Sequence, residues 1–192
     1  RQAQRGRTVI SVLHDLSLRD PGGEFLFSPE VRVDWRPLAY LRGHVDIRTA
    51  TAARMMLRRV PRLRQTPPSE APLLPDLDID IGRLAVASFI AEPAVSGERR
   101  VAAIDGKVHI ADGRAQAALT ARTIAGAARA GGDVLVLRLD AVPRANQLDF
   151  DLRVDAPAGG VLAALGGLRE PLVLRAGGKG DWRAWDGTFR AE

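Results

Sequence analysis

The chain has 192 residues, 46% hydrophobic and 27% charged, which excludes a compositionally disordered polymer and fits one domain or a stretch of a longer repetitive one. Its lack of cysteine excludes disulfides, thiolate zinc sites and cysteine nucleophiles. The net charge is +5, and only Lys107 and Lys179 among its 28 basic residues are lysines.

The charge is uneven. Residues 1–64 hold 13 Arg and 6 acids, a balance of +7, and the remainder holds 15 basic and 17 acidic residues, a balance of −2. A basic first third suits anionic headgroups, nucleic acid or a solvated surface. No run of 18 apolar residues occurs, so no segment of the sequence reads as a membrane-spanning helix. No signal peptide is read at the start, and a strand pattern still runs at Phe189–Glu192. The expectation is a piece of a longer protein whose targeting or anchoring segment lies elsewhere.

In chain order, the first elements are extended. Phe25-Leu26-Phe27 follows the turn residues Asp20-Pro21-Gly22-Gly23, and Val31, Val33 and Trp35 alternate with Arg32 and Asp34. A short helix is expected near 36–42, with Pro37 in its first turn. Val45-Asp46-Ile47 returns as a strand. Residues 61–75 hold five prolines and read as a linker or loop. They divide an N-terminal portion, 1–60, from a repetitive portion, 76–192.

Past the prolines, residues 76–81 alternate Asp with Leu77, Ile79 and Ile81. Residues 102–110 place Ala102, Ile104, Val108 and Ile110 on one face. Asp112-Gly113 then reads as a tight hairpin turn. Gly131-Gly132-Asp133 and Asp186-Gly187 read as further turns. Leu135, Leu137 and Leu139 share a face, and residues 148–155 alternate without a fault: Leu148, Phe150, Leu152 and Val154 against Asp149, Asp151, Arg153 and Asp155. A second short helix is expected near 157–166, ended by Gly166-Gly167.

The fold class is therefore mainly β: an antiparallel meander with two short helices. No substantial helix is available to cover the apolar strand faces. The sheet must pack on another sheet, close into a barrel, or curl into an open trough that holds a ligand. Alternation alone does not choose.

Particular residues suggest the choice. Leu16-Ser17-Leu18-Arg19-Asp20-Pro21-Gly22-Gly23, then Val33-Asp34-Trp35-Arg36-Pro37-Leu38-Ala39-Tyr40-Leu41, then Val45-Asp46-Ile47 follow in order. With the proline spacer, Leu77-Asp78-Ile79-Asp80-Ile81 and the tail Gly178-Lys179-Gly180-Asp181-Trp182-Arg183-Ala184-Trp185-Asp186-Gly187-Thr188, this succession resembles the N-terminal periplasmic region of the TamB family and its AsmA-like relatives. The family's N-terminal membrane helix has no counterpart in this sequence.

The resemblance implies a periplasmic protein anchored in the inner membrane of a Gram-negative bacterium. It would reach toward a TamA-like outer-membrane barrel through a region outside this sequence. It implies an elongated, open β-trough carrying phospholipid acyl chains, or assistance to outer-membrane protein assembly. About a dozen strands at ~4.8 Å would give ~50–60 Å of trough. The expected lining is Ile104, Val108, Ile110, Leu135, Leu137, Leu139, Leu148, Phe150, Leu152 and Val154. A non-conducting envelope scaffold and a closed barrel binding a small apolar ligand are the competing readings.

Chemistry-bearing patterns are sparse. Asp76, Asp78, Asp80 and Gly82 fail the calcium-loop spacing, because the glycine stands seventh instead of sixth. His14, His44 and His109 have no zincin-type partner. No nucleophile elbow or Walker sequence occurs. The expectation is no enzyme, no metal, no cofactor and no nucleic acid, and no convergence of titratable groups in a pocket. Trp35, Trp182 and Trp185 are expected in packing or at sheet edges.

Overall fold

Turn chemistry and period-two patterning produce ten strands joined in sequence order. A computed structural model describes residues 8–61, 77–96, 99–125, 132–157, 170–181 and 185–191. The elements are β1 (Val9–Asp20), β2 (Gly23–Trp35), α1 (Pro37–Tyr40), β3 (His44–Leu57), β4 (Asp78–Ala91), α2 (Pro93–Ser96), β5 (Arg100–Ala111), β6 (Arg114–Ala125), β7 (Val134–Val142), β8 (Gln147–Ala156), β9 (Leu172–Asp181) and β10 (Trp185–Ala191). They form one sheet with strand order β1 to β10. The sheet is open: β1 and β10 are its edges, which sets aside the closed barrel.

The hairpins follow from their turns. Asp112 and Gly113 have φ of 51° and 71°, the left-handed pair of a tight β5–β6 hairpin. At the β1–β2 turn, Asp20 Oδ1 accepts the Gly22 N–H at 2.6 Å, and Gly23 takes φ 103°. Arg59 clamps the same turn through Asp20, and it donates to the Gly23 carbonyl at 2.6 Å.

The sheet departs from a pure antiparallel meander at one place. β3 and β4 pair in parallel, from His44↔Asp78 to Leu57↔Ala91. A parallel neighbour needs a connection of about a dozen residues or more to return along the strand. Residues 58–77 supply it. The pairing joins the 1–60 and 76–192 portions in a single sheet. Of the Pro-rich stretch 61–75, only Pro61 falls among the described residues.

The expected helix near 36–42 is α1, one turn long. The one near 157–166 lies outside the described residues beyond Pro157. The short helix α2 and a single 3-10 turn at Pro143–Ala145 were not expected. Asp186-Gly187 is no turn. It lies inside β10, paired with Lys179 and Gly178 of β9.

Proline 29 in β2 illustrates how the ladder is repaired. Arg58 N–H donates to the Phe25 carbonyl, so Phe25/Arg58 is a hydrogen-bonded pair. Such pairs recur every two residues in antiparallel strands. The register Phe27↔Met56 and Val31↔Ala52 therefore sets Pro29 opposite Arg54. Pro29 has no N–H for the Arg54 carbonyl. The Ser28 hydroxyl donates instead, at 2.8 Å, from a side chain that is fully buried.

The layer is single. Among the described residues, each strand packs extensively only on its sequence neighbours, and α1 packs on β3. The accessible surface is 13535 Å², against about 8,900 Å² for a compact monomer of this mass. Apolar side chains shelter one another along the sheet. Val31, Ala52 and Val86 form one buried group, and Val154 and Ala156 another.

Candidate functional site: an apolar face without charge

Residues directly paired across strands share a face. Following the register from β1 to β10 gives a first row: Leu13, Val31, Ala52, Val86, Ile104, Ala121, Leu135, Val154, Leu174, Ala191. A second row runs Ser11, Val33, Ala50, Leu84, Gly106, Leu119, Leu137, Leu152, Ala176, Phe189. A third runs Val9, Trp35, Ile47, Ile81, Val108, Ala117, Leu139, Phe150, Gly178, Gly187. From β3 to β9 a fourth adds Val45, Ile79, Ile110, Ala115, Ala141, Leu148 and Gly180.

None of these positions is charged, and Ser11 is the only polar one. Its hydroxyl accepts the Trp35 indole N–H at 3.0 Å, so both polar groups are satisfied. Nine strand intervals at ~4.8 Å make the face about 43 Å long, and four rows about two residues apart make it ~20 Å wide. The length is shorter than the dozen-strand expectation because the described residues form ten strands.

All ten residues expected to line a trough lie on this face. Ile104, Leu135 and Val154 are in the first row, Leu137 and Leu152 in the second, Val108, Leu139 and Phe150 in the third, and Ile110 and Leu148 in the fourth. The face is wider than that set. Ala50, Ala52, Leu84 and Val86 complete it across β3 and β4. Their apolar positions, 45, 47, 50, 52, 55 and 57 against 79, 81, 84, 86, 89 and 91, slip phase twice by one residue. Both strands slip together at 48/82 and 53/87, so the rows stay aligned. Gly82 sits at the first slip, where an added Cβ would lie 3.0 Å from the Arg48 carbonyl oxygen.

The opposite face carries the charge. Arg36–Asp46, Arg48–Asp34, Arg83–Asp105 and Arg114–Asp140 pair at 2.6, 3.2, 3.1 and 2.5 Å. Hydrogen bonds from Arg114 and Gln116 hold the Asp140 carboxyl below the usual carboxylate range. The hydrogen bond to Asp140 likewise raises the Arg114 guanidinium. A shallow groove of about 730 Å³ runs over β4 to β8 between two rows of these side chains, including Asp80, Lys107, His109, Arg138, Asp140 and Asp149.

Here titratable groups do converge, contrary to the expectation from sequence. Asp80 lies between His109 Nδ1 at 2.5 Å and His44 Nε2 at 2.9 Å, the latter a close approach without hydrogen-bond alignment. They are 29 or more positions apart in the chain, and the β3–β4–β5 adjacency assembles them. No group of three or more His, Asp or Glu side chains with metal-holding geometry occurs among the described residues. Asp76 and Trp182 lie outside them.

No protein-family model matches the chain, and no curated protein or solved structure matches it.

Proposed function

We propose that the chain is a segment of a TamB-like periplasmic carrier whose apolar face receives phospholipid acyl chains and passes them along the row direction between membranes. The observation carrying this reading is the continuity of the rows: three cross all ten strands without a charge and without a covering layer among the described residues. A face of about 43 by 20 Å, half-buried by its own side chains and otherwise open to water, is costly to leave uncovered, at roughly 25 cal/mol per Å² of the apolar surface still accessible. Acyl chains covering it recover that energy without a specific partner shape. A curl of the sheet toward this face would shelter the lipid, leaving the ion-paired face outward. The order of short motifs along the chain, similar to the TamB family, supports the same reading. An inner-membrane anchor and a TamA-like partner belong to that proposal as parts of the longer protein. A non-conducting scaffold would tolerate charged interruptions in the rows, and none is present.

The test is a lipid-transfer or envelope-integrity assay on the longer protein, with protein levels checked in parallel. Leu152→Arg places an unpaired charge in the middle of the second row. Desolvating it against acyl chains costs several kcal/mol, so transfer is expected to be lost. Asp151→Arg, one residue away on the charged face, is expected to be close to silent. Full activity of Leu152→Arg at normal protein level would favour the scaffold.

A further inference from the structure

Edge strands are ordinarily blunted by charge, proline or glycine, because their free N–H and C=O groups invite another strand. β10 is blunted in this way, interrupted by Asp186, Gly187 and Arg190. β1 is not. From Val9 to Leu13 it reads Val-Ile-Ser-Val-Leu, without a charge, a proline or a glycine. Its apolar side chains stand open on both faces. Val9 and Leu13 continue the apolar rows at 44% and 45% exposure. Ile10 and Val12, 71% and 42% exposed, lie on the charged face, opposite Asp34 and Arg32. A strand apolar on both faces has the pattern of a sheet interior, yet in the single chain β1 stands at the edge.

The neighbouring stretches of the chain make poor partners for it. Residues 1–7 hold three arginines and one apolar residue, Ala3, and residues 61–75 hold five prolines, which remove ladder donors. β1 is instead complementary to itself. Antiparallel pairing of two copies centred on Ser11 sets Val9 against Leu13 and Ile10 against Val12, and the next pair out is Thr8 with His14. No carboxylate or guanidinium enters this stretch, and Asp15, at φ 53°, ends the regular extended backbone. The two-fold axis stands perpendicular to the sheet, so both apolar faces look the same way and the rows run on from one copy into the other. Ile10 and Val12 of each copy cover those of its mate on the charged face. Pairing β1 with β10 of another copy, rows aligned, would set Val12 beside Arg190 and would repeat without closing.

We infer that β1 is a self-association edge: two copies of the chain pair β1 with β1, antiparallel about Ser11, and extend the apolar face from about 43 to ~90 Å. A strand-to-strand contact over residues 8–14 belongs to the small, reversible class of interfaces, so association depends on concentration. The pairing goes beyond the carrier reading and does not depend on it. A monomer would overturn the pairing and leave the lipid rows as they are.

The experiment is analytical ultracentrifugation of the full chain across a range of concentrations, with cysteine cross-linking at single sites. The wild type should pass from monomer to dimer as concentration rises. Ser11→Cys should give a disulfide-linked dimer under mild oxidation, since directly opposite Cβ atoms lie about 4.5–5.5 Å apart. Thr188→Cys, exposed on β10, should not, and the cysteine-free chain leaves no background. Ile10→Lys with Val12→Lys puts lysine opposite lysine. It should weaken association about tenfold or more, with an unchanged melting curve because both side chains are open in the monomer. Mixed one to one with a chain carrying Ile10→Glu and Val12→Glu, it should associate again. Ser11→Cys serves should the lysine variant fail to fold. The inference is overturned by a monomer at every concentration, by equal cross-linking from positions 11 and 188, or by a dimer that the lysine variant keeps.

Discussion

The two faces of the sheet run through the same ten strands, yet they are built on opposite rules. On one face, rows of Val, Leu, Ile and Ala continue from strand to strand whatever the local irregularity. When β3 and β4 each gain a residue, they gain it together, and no row is broken. On the other face, continuity is local. Like charges stand directly opposite at Asp140↔Asp149, and neighbouring groups such as Arg114 and Gln116 offset them. A face held by pairwise ion contacts tolerates interruption. A face held by uninterrupted apolar contact does not, and the proposed carriage of acyl chains requires such a face.

Substitutions one residue apart break or sharpen this contrast. After Leu152→Arg, the largest effect is expected at Gly106. An added Cβ would meet the Ala118 carbonyl oxygen at 2.9 Å and Leu119 Cδ1 at 3.1 Å. Gly106→Val should cost about 1–3 kcal/mol in chemical denaturation, as overpacked sites do. Lys107→Val, on the charged face beside it, should stay within about 0.5 kcal/mol. A similar loss from both would remove the distinction between the faces.

Ser28 tests the repair at Pro29. Ser28→Ala leaves the Arg54 carbonyl without its donor, a loss of about 1–3 kcal/mol. Adding Pro29→Val restores a backbone N–H opposite Arg54 and should recover part of that loss. No recovery in the double variant would show that the hydroxyl does not stand in for the missing ladder bond.

The smallest effect belongs to the charged face. Asp140 is held below its ordinary pKa, so its contribution is present at neutral pH and fades as pH falls through its lowered native value. Arg114→Gln should therefore destabilise slightly at neutral pH, with the difference from wild type beginning to shrink near the ordinary carboxylate pKa of about 4 and vanishing only below Asp140's lowered native value. Unfolding curves across that range check it, and a difference that grows with acid would contradict the assignment.

Much of the sheet was legible wherever the period of two held. Residues 148–155 keep phase throughout, and β8 spans Gln147–Ala156. Asp112-Gly113 announced its hairpin by turn chemistry alone. The face was illegible in β3 and in the second half of β4, because each phase slip breaks the alternation that marks a strand. Read alone, Ala50, Ala52, Leu84 and Val86 fall out of step with Val45, Ile47, Ile79 and Ile81. Only pairing against a partner with the same slip restores them. The parallel β3–β4 pair had one available signal: twenty residues between β3 and β4 are too many for a hairpin turn. The Asp80 contacts with His44 and His109 had none, since they arise from strand adjacency.

The central claim is that acyl chains lie along the apolar rows. Site-specific photo-crosslinking in the envelope tests it most directly. A photoreactive residue is placed singly at 119, 137 or 152 in the second row, and at 118, 138 or 151 on the charged face, in cells with labelled phospholipid. The account predicts lipid adducts at 119, 137 and 152 and none above background at 118, 138 and 151. Equal labelling of both sets, or protein adducts in place of lipid along the second row, would contradict it.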